Sequence, residues 1–145
     1  MKHIIGIFVI ILLVFSINIS AKDKCSKQEA LVAEEKVDGI LSWDDLYQYY
    51  LKYKECDSGA ISEGLSNSIE ILLVNKWDDL FIIYKMTSEK KRFKLFFLKH
   101  IDETMSQKNA EIIYYNIKNK CDNKTKEFCA LIKNEMDKYQ YEGDK

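Results

Sequence analysis

Glu55-Cys56-Asp57-Ser58-Gly59-Ala60-Ile61-Ser62-Glu63-Gly64-Leu65-Ser66 is the stretch on which the reading of this chain turns. Cys56 closes an aromatic-rich segment. Asp57 and Ser58 then carry side-chain oxygens suited to starting a helix, because a short oxygen acceptor can take one of the free N–H groups of a first turn. Gly59 and Gly64 flank Glu63 and leave the opening turns of that helix almost bare. Beyond them Ile61, Leu65, Ile69, Leu72 and Leu73 form one apolar stripe at helical spacing, with Ser62, Ser66 and Glu70 off the stripe.

Working back from this stretch, Ser42 stands three residues before Asp45 in an acidic variant of the capping box. It opens a helix over 43–55 whose apolar positions include Trp43, Leu46, Tyr47, Tyr50, Leu51 and Tyr53. Residues 26–36 read as a polar helix that Gly39 ends. Working forward, Asn75 and the acids of Trp77-Asp78-Asp79-Leu80 predict a further start, and the apolar run Leu80–Tyr84 predicts a central helix. Ser88 is expected to open a basic amphipathic helix over 89–104, and Ser106 one that runs to Cys121. Asp122 or Asn123 is expected to open the last helix, with Phe128, Leu131, Ile132 and Met136 inward and a polar tail from Tyr139. The expectation is an all-α single domain of six to seven short antiparallel helices, either a bundle or a short superhelical stack. Trp43-Asp44-Asp45-Leu46 recurs as Trp77-Asp78-Asp79-Leu80. The spacing of about 34 residues suits a helix-pair repeat, but no third copy follows at Glu111-Ile112-Ile113-Tyr114.

Composition agrees with helices. The 145 residues contain no proline and only five glycines, too little punctuation for a strand-rich domain. Twenty-two basic residues against 23 acidic give a formal net charge of −1, which argues against a nucleic-acid partner. Met1-Lys2-His3, the apolar run from Ile4 to Ile19 and Ser20-Ala21 form the three-part pattern of a signal peptide cleaved after Ala21. The apolar run falls short of the ~20 residues a spanning helix needs, so no stable membrane insertion is expected after cleavage. The division is a signal peptide over 1–21 and a helical domain over 22–145, periplasmic or secreted. An even cysteine count after a leader reads as two disulfides. Of the three pairings open to Cys25, Cys56, Cys121 and Cys129, Cys121–Cys129 across one helical hairpin with Cys25–Cys56 is favoured. No Cys-x-x-Cys is present and there are two histidines, of which His3 lies in the leader, so neither a metal site nor a cofactor is expected.

Few residues offer chemistry. Nucleophilic catalysis by Ser58 would need a base, and His100 is the only histidine outside the leader. His100 and Asp102 are two apart, which on a helix places them on different faces. Asp57 and Ser58 read more simply as helix caps. Glu63 and Asp102 could pair for glycoside hydrolysis, although nothing in the sequence places them together. The small residues beside Glu63 would either expose it to a partner or let another helix pack closely. Lys90-Lys91-Arg92 with Lys94 reads as a solvated face or as a docking patch for an acidic protein. No Gly-rich phosphate loop, His-Glu-x-x-His motif or Gly-x-Ser-x-Gly elbow is present. Asp57, Glu63, His100 and Asp102 remain the candidate binding residues.

Tyr50 to Tyr53, the run Cys56 to Gly64, Trp77, the run Phe97-Leu98-Lys99-His100-Ile101-Asp102-Glu103-Thr104, Cys121 and Cys129 resemble a group of small secreted helical proteins of Gram-negative bacteria. In size, leader and disulfide use the chain is also similar to periplasmic immunity proteins that neutralise cell-wall amidases delivered by type VI secretion. That second likeness lies in general architecture, and no functional residue is carried over from it. It implies an exported, non-enzymatic domain that binds another protein, either a toxin or an envelope component. The other readings are a periplasmic hydrolase using Glu63, His100 and Asp102, or a structural envelope protein.

Overall fold

The computed structural model describes residues 25–139. The leader expected over 1–21 and the end of the tail lie outside the described residues. Within them the chain forms seven α-helices and no strand: α1 Lys27–Val37, α2 Trp43–Tyr53, α3 Ala60–Asn75, α4 Leu80–Glu89, α5 Lys91–Lys99, α6 Gln107–Lys120 and α7 Lys126–Asp137. Short 3-10 turns at Lys54–Cys56 and Trp77–Asp79 precede α3 and α4. None of these helices is long and apolar enough to cross a membrane.

Several starts obey the local chemistry. Ser26 caps α1 in a full capping box with Glu29. Ser42 accepts from the Asp45 N–H at 3.1 Å, and the Asp45 carboxylate reaches back to the Leu41 N–H at 3.2 Å. Ser106 accepts from the Asn109 N–H at the start of α6. Other boundaries differ from the sequence expectation. Gly59, with φ of 53°, is the N-cap of α3, and neither Asp57 nor Ser58 gives that helix a side-chain cap. Asn75 ends α3 rather than opening α4. Ser88 lies inside α4, its hydroxyl donating to the Tyr84 carbonyl, and the break falls at Lys90. The basic helix stops at Lys99, not Thr104. Asp122 accepts from the Thr125 N–H and hydroxyl and so shapes the turn before α7, whose N-cap is Thr125.

α3 is the centre of the packing. It lies against α1 and α6, while α2 packs on α1 and α5, and α7 on α6. The pairings α3–α6 and α2–α5 reach across intervening helices, which a linear superhelical stack does not do, so the domain is a closed bundle. Leu65, Ile69, Leu72 and Leu73 form the apolar stripe of α3 and are fully buried. Each contributes roughly 1.5–3 kcal/mol by leaving water, and Leu65→Ala would cost about 2–5 kcal/mol. Trp43 meets Phe97 edge-on, and Phe97 stacks on Phe128, tying α2, α5 and α7 together. α4 is not central all round. Leu80 and Ile83 are buried, but Phe81 and Ile82 face solvent.

The first Trp-Asp-Asp-Leu copy contacts the start of the second, because the Trp43 indole donates to the Lys76 carbonyl at 3.3 Å. The disulfides are Cys25–Cys56 and Cys121–Cys129. The first ties the segment before α1 to the turn before α3. The second closes the link between α6 and α7.

Candidate functional site

Two polar residues of α3 that lie off its apolar stripe are not solvent-facing. Ser66 and Glu70 are buried. At four-residue spacing, Ser62, Ser66 and Glu70 form a polar seam, and the segment after α5 folds onto it. His100 is the C-cap of α5, so the chain has already left the helix when it reaches Asp102. That turn brings two residues that would diverge on a helix onto one hydroxyl.

Ser66 Oγ donates to Asp102 Oδ2 at 2.6 Å and lies 3.1 Å from His100 Nδ1. On the far side of the ring, His100 Nε2 is 3.1 Å from Asp57 Oδ2. Lys99 Nζ approaches the same Asp57 oxygen at 2.5 Å. Asp102 Oδ1 accepts from the Thr104 N–H and hydroxyl, which holds the turn in shape. Phe96 packs edge-on against the imidazole with ring centroids 4.9 Å apart.

Proton positions follow from these distances. A serine hydroxyl has one proton, and the shortest contact assigns it to Asp102. Ser66 oxygen is then left to accept from His100 Nδ1–H. On the far side of the ring, Nε2 faces the Asp57 carboxylate and is placed to donate to it. Burial alone would raise the Asp57 pKa, but the bonds from His100 and Lys99 outweigh it and hold the carboxyl at about 2. Asp102 follows the same logic: burial opposes, and the bonds from Ser66 and Thr104 lower it below the ordinary carboxylate value. Tyr49, which donates to the Ala33 carbonyl at 3.1 Å, is raised by its burial first and then by the negative charge of Asp57.

In outline Asp57, His100 and Ser66 form a Ser-His-Asp relay. Two features set it apart from an open catalytic triad. Ser66 is 3% exposed and His100 1% exposed, so no substrate carbonyl reaches the hydroxyl. The Ser66 hydroxyl also donates its hydrogen bond to Asp102, whereas an activated serine would donate to the imidazole. The cluster is a hydrogen-bonded lock between α3, the end of α5 and the turn before α3.

Of the sequence candidates, Asp57, His100 and Asp102 therefore converge, joined through Ser66. Glu63 does not join them. It is exposed in the first turn of α3. Its neighbour Gly64 accounts for the small residues there: a Cβ at Gly64 would sit 2.6 Å from Val37 Cγ1, so the glycine lets α1 approach α3 closely. Sequence reasoning missed Ser66 and Glu70. Glu70 Oε1 accepts from the Ser106 N–H and hydroxyl and from Asn109 Nδ2 at 2.6 Å, placing a buried acid at the positive end of α6. Their four-residue spacing was the available signal. Among the described residues no group of three His, Cys, Asp or Glu side chains is placed to hold a metal ion. The chain matches no protein-family model, and neither a characterised protein nor a solved structure is significantly similar to it.

Proposed function

We propose that this chain is an exported, non-enzymatic protein-binding domain, in its most concrete form an immunity or inhibitor protein that covers a secreted toxin's active site in the periplasm. One observation carries the reading: the His100 cluster, which gathers the residue types of a hydrolase, is buried, with Ser66 3% and His100 1% exposed. What such a molecule offers a partner is its outer surface on a rigid frame. The two disulfides are compatible with export, since such bonds persist in oxidising compartments. Balanced charge suits a protein partner better than a polyanion.

The test is purification from the native cell envelope. A stoichiometric bound protein whose toxicity the chain suppresses is the expected result. A partnerless monomer that turns over peptidoglycan, and loses that turnover in Ser66→Ala, would overturn the reading in favour of a hydrolase.

A further inference from the structure

The helix break at Lys90, with φ of −126° and ψ of 85°, sets α5 at an angle to α4 and leaves a groove of about 330 Å³ between them. Thr87, Ser88, Lys91, Lys94 and Leu95 line it. Its two hydroxyls are already spent: Thr87 donates within α4 to the Ile83 and Tyr84 carbonyls, and Ser88 to the Tyr84 carbonyl. What remains on offer is apolar surface, with Leu95 58% exposed, and positive charge. Lys90 is neutralised by Glu89 and lies over the Tyr47 ring. Lys91, Arg92 and Lys94, by contrast, have no acidic partner among the described residues. They also stand in the first turn of α5, where cations oppose the helix dipole and lower the stability of the free protein. In a chain whose charges nearly balance as a whole, these three cations beside an apolar groove form a local positive cluster that a carboxylate would relieve.

We propose that the α4–α5 groove is this domain's docking surface and takes an acidic amphipathic segment of a partner protein, with an apolar side chain against Leu95 and carboxylates on Lys91 and Lys94. The inference rests on the protein-binding reading above and adds the place and the partner's chemistry. Charge complementarity carries it, since paired cations at the rim of an apolar groove steer and orient an acidic ligand. A membrane surface fits less well, because the apolar contact is one leucine in a concavity rather than a projecting face. A nucleic acid fits less well, because the overall charge is slightly negative.

A synthetic peptide of alternating leucine and glutamate tests this by fluorescence anisotropy against the intact disulfide-bonded protein. Binding that weakens with salt is expected, falling at least roughly tenfold in Lys91→Glu/Lys94→Glu, whose melting temperature should be no lower than wild type, and in Leu95→Ser. The charge-reversed variant should instead prefer a leucine–lysine peptide, a gain that misfolding could not produce. Equal binding of the acidic peptide to wild type and the charge-reversed variant would overturn the proposal. So would preference for phosphatidylglycerol vesicles or an oligonucleotide over the peptide, or concentration-dependent dimerisation through this face. A native partner that stays bound to the charge-reversed variant would sink the groove and leave the protein-binding reading standing, whereas absence of any native partner sinks that reading.

Discussion

Asp57 meets both of its side-chain partners through one oxygen. Oδ2 takes His100 and Lys99, while Oδ1 is buried with no hydrogen-bond partner within the protein. The two partners are not equivalent. His100 is enclosed, whereas Lys99 is half exposed and screened by water. Asp57→Asn should therefore cost about 2 kcal/mol, because it weakens a buried, charge-assisted hydrogen bond to His100, while Lys99→Ala should cost about 1 kcal/mol or less. Urea denaturation of the two variants checks the contrast. The folded pKa of about 2 against an ordinary 3.8 also gives a pH dependence. A depressed carboxyl contributes its stability in full above its unfolded pKa and loses it as pH falls through the folded value. For Asp57 that is about 2 kcal/mol, lost between roughly pH 4 and pH 2. The expected observation is that wild type and Asp57→Asn converge in urea midpoint over that interval. A gap that stayed constant would show that Asp57 is not ionised in the lock.

At the scale of elements, α3 has two different edges. Its apolar stripe and Gly64 receive α1, and its polar seam receives the segment from His100 to Asn109. Gly64 sits mid-helix, where alanine would ordinarily improve helix stability by about 1 kcal/mol. Here the added methyl meets the Val37 side chain, which is buried and β-branched and so turns poorly. Gly64→Ala should destabilise by about 1–3 kcal/mol despite the better propensity. Val37→Ala in the same chain should recover part of that loss, and thermal melts of the single and double variants decide it. Glu70 binds α3 to α6 by the same economy of one side chain for several donors. Glu70→Gln keeps the acceptor but loses the charge at the α6 N-terminus. A loss of about 1–2 kcal/mol is expected, read by the same melts.

At the scale of the whole molecule, the two disulfides do different work. Cys121–Cys129 spans eight residues and should contribute ~2–3 kcal/mol by restricting the unfolded chain. Cys25–Cys56 spans 31 residues, so its entropic contribution is larger, at ~3–4 kcal/mol. It also holds the residue next to Asp57. Replacing Cys25 and Cys56 by serine should therefore be non-additive with Asp57→Asn by more than about 0.5 kcal/mol, while replacing Cys121 and Cys129 should be additive with it. Double-mutant cycles from urea denaturation measure both. Equal additivity would separate the staple from the charge cluster.

The sequence alone determined what depends on neighbours along the chain: helices from apolar spacing and their starts at Ser26, Ser42 and Ser106, whereas the disulfide pairing it favoured among three was decided by the structure. Periodicity also marked Ser66 and Glu70 as off the apolar stripe, but periodicity reports only which side of a helix a residue takes. Whether that side meets water or another segment is set by packing, and here the segment after α5 covers it. The same cause redirected Asp57, whose carboxylate went to His100 and Lys99 instead of capping α3. The lock around His100 was decided by tertiary structure alone, because its members stand far apart in sequence and only the closure of α3 against the end of α5 brings their charges within reach.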